Sequence, residues 1–182
     1  MPNNLTRKPD YRKREQTATD PLGKLPPRDI ALENVVIGAL MLDGDAYMNV
    51  SDILIPESFY DPVNRKIYEA ISDLGFNQQP IDMITVTNKL RQLGTLEEVG
   101  GAAHIAELTS KVFSSANISY HARIISQKYL ARRLISFASQ LETEAFDESN
   151  DVDDLMQRAE GSLFEISQTQ LKREVTQIDP VL

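Results

Sequence analysis

One stretch of this chain limits its fold more than any other, because residues 119–146 contain neither glycine nor proline. Glycine destabilises a helix through its conformational entropy, and proline removes a backbone donor. Their absence predicts one helix much longer than the usual three turns. Within it, small and apolar residues alternate at spacings of three and four, which is typical of a helix–helix seam. These residues are Ala131, Leu134, Ala138, Leu141 and Ala145.

An acidic break at residues 147–151 separates this helix from a second apolar repeat. The second repeat comprises Val152, Leu155, Ala159, Leu163 and Ile166. A short loop between two long helices favours an antiparallel pair. We therefore predict a helical hairpin over residues 119–170. Its seam is expected to contain Ala131, Leu134, Ala138, Leu141, Leu155 and Ala159.

Apolar residues that lie off this seam leave the hairpin with a second apolar face. They are Leu130, Ile135, Phe137, Met156 and Phe164. This face either folds back onto the rest of the chain or meets another molecule, since large exposed apolar patches usually mark interaction sites. The residues alone leave both interpretations open. For the second one we predict self-association through Leu130, Phe137 and Phe164.

Helical patterns also account for residues 26–118. Asp29 and Asp61 are candidate N-caps, and Pro62 suits a first helical position. Helices are expected over residues 30–41, 46–54, 62–76, 84–93 and 102–112. In the fourth of them, Leu93 is expected to point inward. Strand patterns are nearly absent, so the predicted fold is all-α: a small helical globule followed by a protruding antiparallel helical hairpin.

Charge is distributed unevenly along the chain, whose formal net charge is −8. Residues 1–28 carry seven basic and three acidic residues, whereas the remainder carries 12 basic and 24 acidic ones. An acidic body is a poor match for a nucleic-acid backbone, which requires clustered cations. We interpret residues 1–25 as a disordered basic leader. A weak contact of this leader with phosphate is the alternative.

Motifs for catalysis and cofactor binding are lacking in the sequence. Gly23-Lys24 is followed by Leu25, so it does not form a phosphate-binding loop. His104 with Glu107, and the distant His121, are weak candidates for metal ligands because no carboxylates cluster beside them. The absence of cysteine excludes thiolate metal sites and disulfides. We expect no catalytic, cofactor-binding or metal-binding residues here, and hence no enzymatic activity in these residues.

Targeting signals are also lacking. No apolar run approaches the roughly 18 residues of a membrane-spanning helix, and the N-terminus has no secretory signal core. We therefore expect a soluble cytoplasmic protein without a membrane partner.

Two other functions compete with a partner-binding module. A free-standing helical DNA-binding regulator would need a basic recognition helix, and the nearest cluster is Lys128, Arg132 and Arg133. A small metal-dependent helical hydrolase would have to use His104 and His121 with carboxylates of the body. The residues favour assembly or partner binding over both.

Several stretches in register resemble the N-terminal domain of the DnaB-type replicative DNA helicases of bacteria. They are residues 26–33, 37–43, 59–62, 64–65, 80–82, 94–101, 116–118, 120–125 and 130–134. The resemblance covers about residues 26–170. The chain departs from the family at Asn64, where His is usual, at Phe113, where Pro is usual, and at residues 104–105, where Tyr-Leu is common.

This resemblance implies an assembly domain of a larger helicase. In the family, such units pack in pairs and form a three-fold collar on a hexameric ring, a trimer of dimers. The ATPase that unwinds DNA, with its ATP and Mg²⁺, is a RecA-like domain further along the chain. Residues 171–182 would begin the linker to it. Asp179-Pro180, which looks like the start of another helix, agrees with a fragment of such a protein.

The resemblance also implies partners: a second copy of the chain, primase, a helicase loader, and DNA through the missing domain. The expected location is the replication fork in the cytoplasmic nucleoid. For primase we predict contact with the acidic hairpin tip, at Asp151, Asp153 and Asp154, because carboxylates attract a basic partner over a distance. The alternative for these acids is a solvated loop at a helix N-terminus.

Overall fold

Six α-helices make up most of residues 23–175, the part of the chain that the computed structural model describes, with side chains described up to residue 168. They are α1 (Ile30–Leu42), α2 (Pro62–Phe76), α3 (Met83–Gln92), α4 (Gly101–Ser110), α5 (Ile118–Ala145) and α6 (Val152–Val175). Two 3₁₀ helices, Gly44–Asn49 and Pro56–Ser58, join α1 to α2. No strand occurs between residues 23 and 175, which confirms the all-α prediction for this part of the chain.

Two predicted segments fall wholly or partly on residues outside this range. The basic leader was placed at residues 1–25, of which 1–22 lie outside the described residues. Most of the predicted linker start, including Asp179-Pro180, lies outside them as well.

Aspartate side chains begin three of the helices. Asp29 accepts a hydrogen bond from the Leu32 amide (3.0 Å), and Asp61 accepts one from the Val63 amide (2.8 Å) with Pro62 next to it. Asp82 caps α3 in the same way. Each cap satisfies a backbone donor that a helix start leaves free. The caps at Asp29 and Asp61 confirm the sequence prediction.

The core of the globule forms around α1, which packs against α2, α4 and α5. Val36, Ile37 and Leu40 of α1 are completely buried, and so are Ile67 and Ile71 of α2. Gly38 lies where α1 and α4 approach most closely, since an added Cβ would overlap the Leu108 carbonyl. The helical stripes predicted from the sequence therefore face a common interior.

Two local predictions are wrong. Residues 46–54 were expected to be one short helix, but a 3₁₀ helix ends at Asn49 and turns follow it. Ala46, Val50 and Leu54 of this segment are still buried in the core. Leu93 is 53% exposed rather than buried, because α3 ends at Gln92 and Leu93 is its C-cap.

The hairpin leaves the globule partway along α5. Buried residues of α5 are confined to its first third, where Ile118, Ala122, Ile125 and Ser126 pack on the globule. α6 packs on α5, and they form the predicted antiparallel pair. None of the helices in the described part of the chain has the length and apolar character needed to cross a bilayer.

Candidate partner-binding site

The turn between α5 and α6 is organised by its own polar side chains. Asn150 Nδ2 donates to the Glu144 carbonyl (2.9 Å), and Arg158 forms an ion pair with the Glu144 carboxylate (3.3 Å). Asp147 Oδ1 accepts hydrogen bonds from the Ser149 amide and hydroxyl, which lower the pKa of Asp147. These contacts close the tip of the hairpin and fix the register of its two helices.

The three acids predicted to contact primase lie at this tip and are all exposed. Asp151 also has a structural role, since its carboxylate accepts from the amides of Asp153 (2.9 Å) and Asp154 (3.2 Å) at the start of α6. The side chains of Asp153 and Asp154 occupy the first turn, where negative charge favours the helix dipole. Asp153 and Asp154 are therefore the two acids that can be changed without losing a cap.

The predicted seam residues differ in burial. Leu155 is 9% exposed, and Ala131, Leu141 and Ala159 are half-buried. Leu134 is 40% exposed and Ala138 is also exposed. Ile166, from the same repeat, is buried on the α6 side.

Exposed apolar side chains lie along both helices of the hairpin. We call five of them the hairpin face, namely Leu134, Ile135, Met156, Leu163 and Phe164, each at least 40% exposed. Phe146 and Val152, next to the tip, are exposed as well. Both helices rise about 1.5 Å per residue. Glu144 and Arg158 form an ion pair and so lie level with each other on the two helices. Leu163 and Phe164 are five and six residues further from the tip than Arg158, so they lie level with residues 138–139 of α5, about one turn from Leu134 and Ile135. Of the predicted self-association residues, Phe164 is 63% exposed, while Leu130 and Phe137 are half-buried.

A buried carboxylate, which the sequence reasoning missed, lies below the hairpin root. Glu33 of α1 is 1% exposed. Its carboxylate accepts hydrogen bonds from the amides of Tyr60 (2.8 Å) and Asp61 (3.2 Å) and from Asn64 Nδ2 (3.3 Å). Burial raises the pKa of Glu33, and these hydrogen bonds and the charge of Arg132 offset only part of that effect.

The spacing of Glu33 could have revealed its burial. It precedes the buried Val36 and Ile37 by three and four residues, which places it on the same face of α1. Its hydrogen bonds to the turn before α2 connect α1 to a segment almost 30 residues away.

Arg132 of α5 lies above this carboxylate and contacts several segments at once. Its guanidinium donates to the carbonyls of Pro27 (2.8 Å) and Ser58 (2.7 Å). It lies 5.5 Å from the ring centroid of Tyr60 and 5.7 Å from that of Tyr129, which is within cation–π range. Arg28 also contacts Tyr60, donating to its hydroxyl (3.1 Å). Arg132 therefore points into the globule, and it is not part of the basic DNA-reading surface that a regulator would need.

The histidine candidate for a metal site has ordinary contacts. His104 Nδ1 lies 3.7 Å from a Glu107 oxygen, and Glu107 also pairs with Lys111 (2.6 Å). Among the side chains described, no three His, Cys, Asp or Glu residues converge in a way that could hold a metal ion. A metal-dependent hydrolase has no support from this part of the chain.

The raised pKa of Glu33 predicts a pH dependence of stability. A carboxyl group whose pKa is raised on folding binds its proton more tightly in the folded chain than in the unfolded one. This tighter binding contributes fully to the free energy of unfolding below the ordinary pKa of 4.5, and the contribution is lost as pH rises through the folded pKa. Lowering the pH from about 7.5 to about 5 should therefore stabilise the parent chain relative to Glu33→Gln, which does not titrate. Urea unfolding of both proteins at several pH values measures this. A constant difference in unfolding free energy would contradict it.

Comparison with known proteins gives consistent matches. Residues 25–127 match the model of the DnaB-like helicase N-terminal domain. A replicative DNA helicase DnaB from Rhodothermus marinus is 36% identical over 160 residues, which cover 88% of this chain and 17% of that protein. Across five such relatives, the chain spans between 17% and 34% of their length.

Two solved structures share the fold. The N-terminal domain of DnaB helicase from Mycobacterium tuberculosis is 33% identical with a TM-score of 0.72, covering 78% of this chain and 99% of that one. A DnaB-like replicative helicase whose structure was described with its interactions with primase has a TM-score of 0.65 at 23% identity. That match covers 78% of this chain and 31% of the helicase.

Proposed function

This chain belongs to the DnaB-like helicase N-terminal domain family, and from that premise we propose that it is the assembly and partner-binding collar of a replicative DNA helicase. In this proposal its hairpin mediates self-association into dimers, which form a hexamer as a trimer of dimers. The collar recruits primase, and a helicase loader binds near it.

The observation that carries this proposal is the exposed hairpin face. The apolar side chains of this face are left in contact with solvent on an element that projects from an otherwise well-buried core. Exposed apolar patches of this kind mark interaction surfaces. The same apolar patch on a second copy would complement it, as in the two-fold interfaces that are commonest among homo-oligomers.

The helicase activity itself is assigned to the parent protein outside these residues. ATP and Mg²⁺ would be bound by a further domain, which would also contact DNA, and residues 171–182 would lead towards it. The matched relatives are much longer than this chain, which leaves room for such a domain. The proposed place of action is the replication fork in the cytoplasmic nucleoid.

Substitution of one residue in the hairpin face tests self-association. Phe164→Asp places an unpaired charge in the centre of the proposed interface, so we expect the dimer dissociation constant to rise at least about tenfold. Sedimentation velocity over a concentration series measures it. Phe76→Asp is the matched control, because Phe76 is 87% exposed but lies on the globule at the end of α2. A monomer at every concentration, or equal effects of both substitutions, would overturn the proposal.

Primase binding should depend on the charge of the hairpin tip. Replacing Asp153 and Asp154 together by lysine should slow association with the cognate primase several-fold and flatten its salt dependence, because steering by opposite charge acts on the association rate. Asp151 is left unchanged because it caps α6.

The matched control changes the charge by the same amount on the globule, with Asp52→Lys and Glu69→Lys, two exposed acids. Surface plasmon resonance at several salt concentrations compares the two double variants. Identical association rates for them would mean that the tip acids are only solvated.

A further inference from the structure

Beyond the buried first third of α5, polar and aromatic contacts around Arg132 join the base of the hairpin to the globule. We call Pro27, Arg28, Ser58, Tyr60 and Arg132 the root clasp. Its hydrogen bonds connect residues 105 and 74 positions apart in the chain, Arg132 with Pro27 and Arg132 with Ser58. It therefore joins α5 both to the segment that enters α1 and to the 3₁₀ helix before α2.

The root clasp lies close to the point where α5 leaves the globule. The last buried residue of α5 is Ser126, and Arg132 lies less than two turns further along. The part of α5 from Ser126 to its C-terminal end is about 30 Å long. A rotation of about 10° at its base would therefore move the hairpin tip by about 5 Å.

We propose that the root clasp sets the direction in which the hairpin leaves the globule, with Arg132 as the positioning residue. The planar guanidinium suits this role, since it donates to two carbonyls in fixed directions and lies against two aromatic rings at the same time. Glu33 supports the clasp from below by holding the Tyr60 amide. The position of Tyr60 in the clasp thus depends on a buried carboxylate of α1.

Replacing Arg132 by lysine tests whether the direction of the hairpin depends on the shape of the guanidinium or only on its positive charge. Arg132→Lys retains the positive charge near Glu33, but an ammonium cannot hold both carbonyls in a fixed fork. The globule should stay folded, because its apolar core is untouched, while the hairpin gains a wider range of directions. Tyr60→Leu, which removes the ring that both Arg28 and Arg132 contact, should also widen the range of hairpin directions.

Distances between two spin labels test the proposal directly. The chain contains no cysteine, so Glu69→Cys on α2 and Gln157→Cys on α6 provide two unique and exposed attachment points. Pulsed electron paramagnetic resonance, with labelled protein diluted in unlabelled protein, gives the distribution of the distance between globule and hairpin. We expect a narrow distribution in the parent, and one at least about twice as wide in Arg132→Lys and in Tyr60→Leu. Arg91→Lys, an exposed arginine on α3, is the control and should leave the width unchanged.

Two results of these measurements would overturn the proposal. Unchanged widths in both clasp variants would overturn the proposal, since the buried first third of α5 would then orient the hairpin alone. Loss of the helical circular dichroism in both variants would overturn it too, because the clasp would then be part of the folding core. A weaker dimer of Arg132→Lys is a further expected result that rests on the proposed function. If the parent itself is monomeric, that function fails while the distance measurement still tests the clasp.

Discussion

Replacing Glu33 by alanine is expected to lower the free energy of unfolding by about 3 kcal/mol, because each buried donor left without an acceptor costs about 1–3 kcal/mol. Three donors lose their acceptor: the amides of Tyr60 and Asp61, and Asn64 Nδ2, which keeps only its bond to Asn34. The expected loss is below the simple sum, since removing a buried carboxylate also removes its desolvation cost. Urea unfolding followed by circular dichroism measures it.

The control for this prediction is Glu69→Ala, which removes an exposed glutamate from α2. Its effect should stay within about 0.5 kcal/mol, as is usual for surface substitutions. If Glu33→Ala were as mild as the control, the carboxylate would not be the organiser of the turn before α2. The support for the root clasp from below would then also be lost.

Adding one methyl group at Gly38 is expected to have a similarly large effect. The Cβ of Gly38→Ala would overlap the Leu108 carbonyl oxygen and lie 2.8 Å from Val112 Cγ2, so α1 and α4 would have to move apart. Overpacking of this kind typically costs about 1–3 kcal/mol, and we expect the upper end because the obstacle is backbone rather than a flexible side chain. Thermal and urea unfolding of the variant measure the loss.

Gly161 of α6 offers the matched control with an expected effect of opposite sign. It lies in a helix, is exposed, and has no atom within 4 Å of an added Cβ. Gly161→Ala should therefore stabilise the hairpin by about 0.5–1 kcal/mol, the usual preference of a helix for alanine. Equal destabilisation by both substitutions would contradict the close approach of α1 and α4.

Several parts of the fold could be predicted from the sequence because they depend on neighbouring residues. The ends of α2 were predicted correctly, since Asp61 and Pro62 begin that helix in any context. The length of α5 was predicted to within one residue at each end, because nothing in it interrupts a helix. The family resemblance, carried by short stretches in a fixed order, was confirmed by the match over residues 25–127.

Two features were misjudged within single segments: residues 46–54 form a 3₁₀ helix and turns rather than one helix, and α3 stops at Gln92, which leaves Leu93 exposed. A third feature depends on distant parts of the chain. Arg132 appeared in the sequence as one of a basic trio on a helix. Its actual partners, Pro27 and Ser58, lie 105 and 74 residues away.

The sequence by itself thus determined the helices, the hairpin and the family, because helix caps, interruptions and apolar spacing act within a few turns of the chain. Only the tertiary structure decided which distant groups hydrogen-bond to Glu33 below the hairpin root and that Arg132 points inward above it. The reason is physical: a charged side chain takes its partners from whatever the folded chain brings within about 3 Å, and hydrogen bonds that short depend on packing rather than on sequence neighbours.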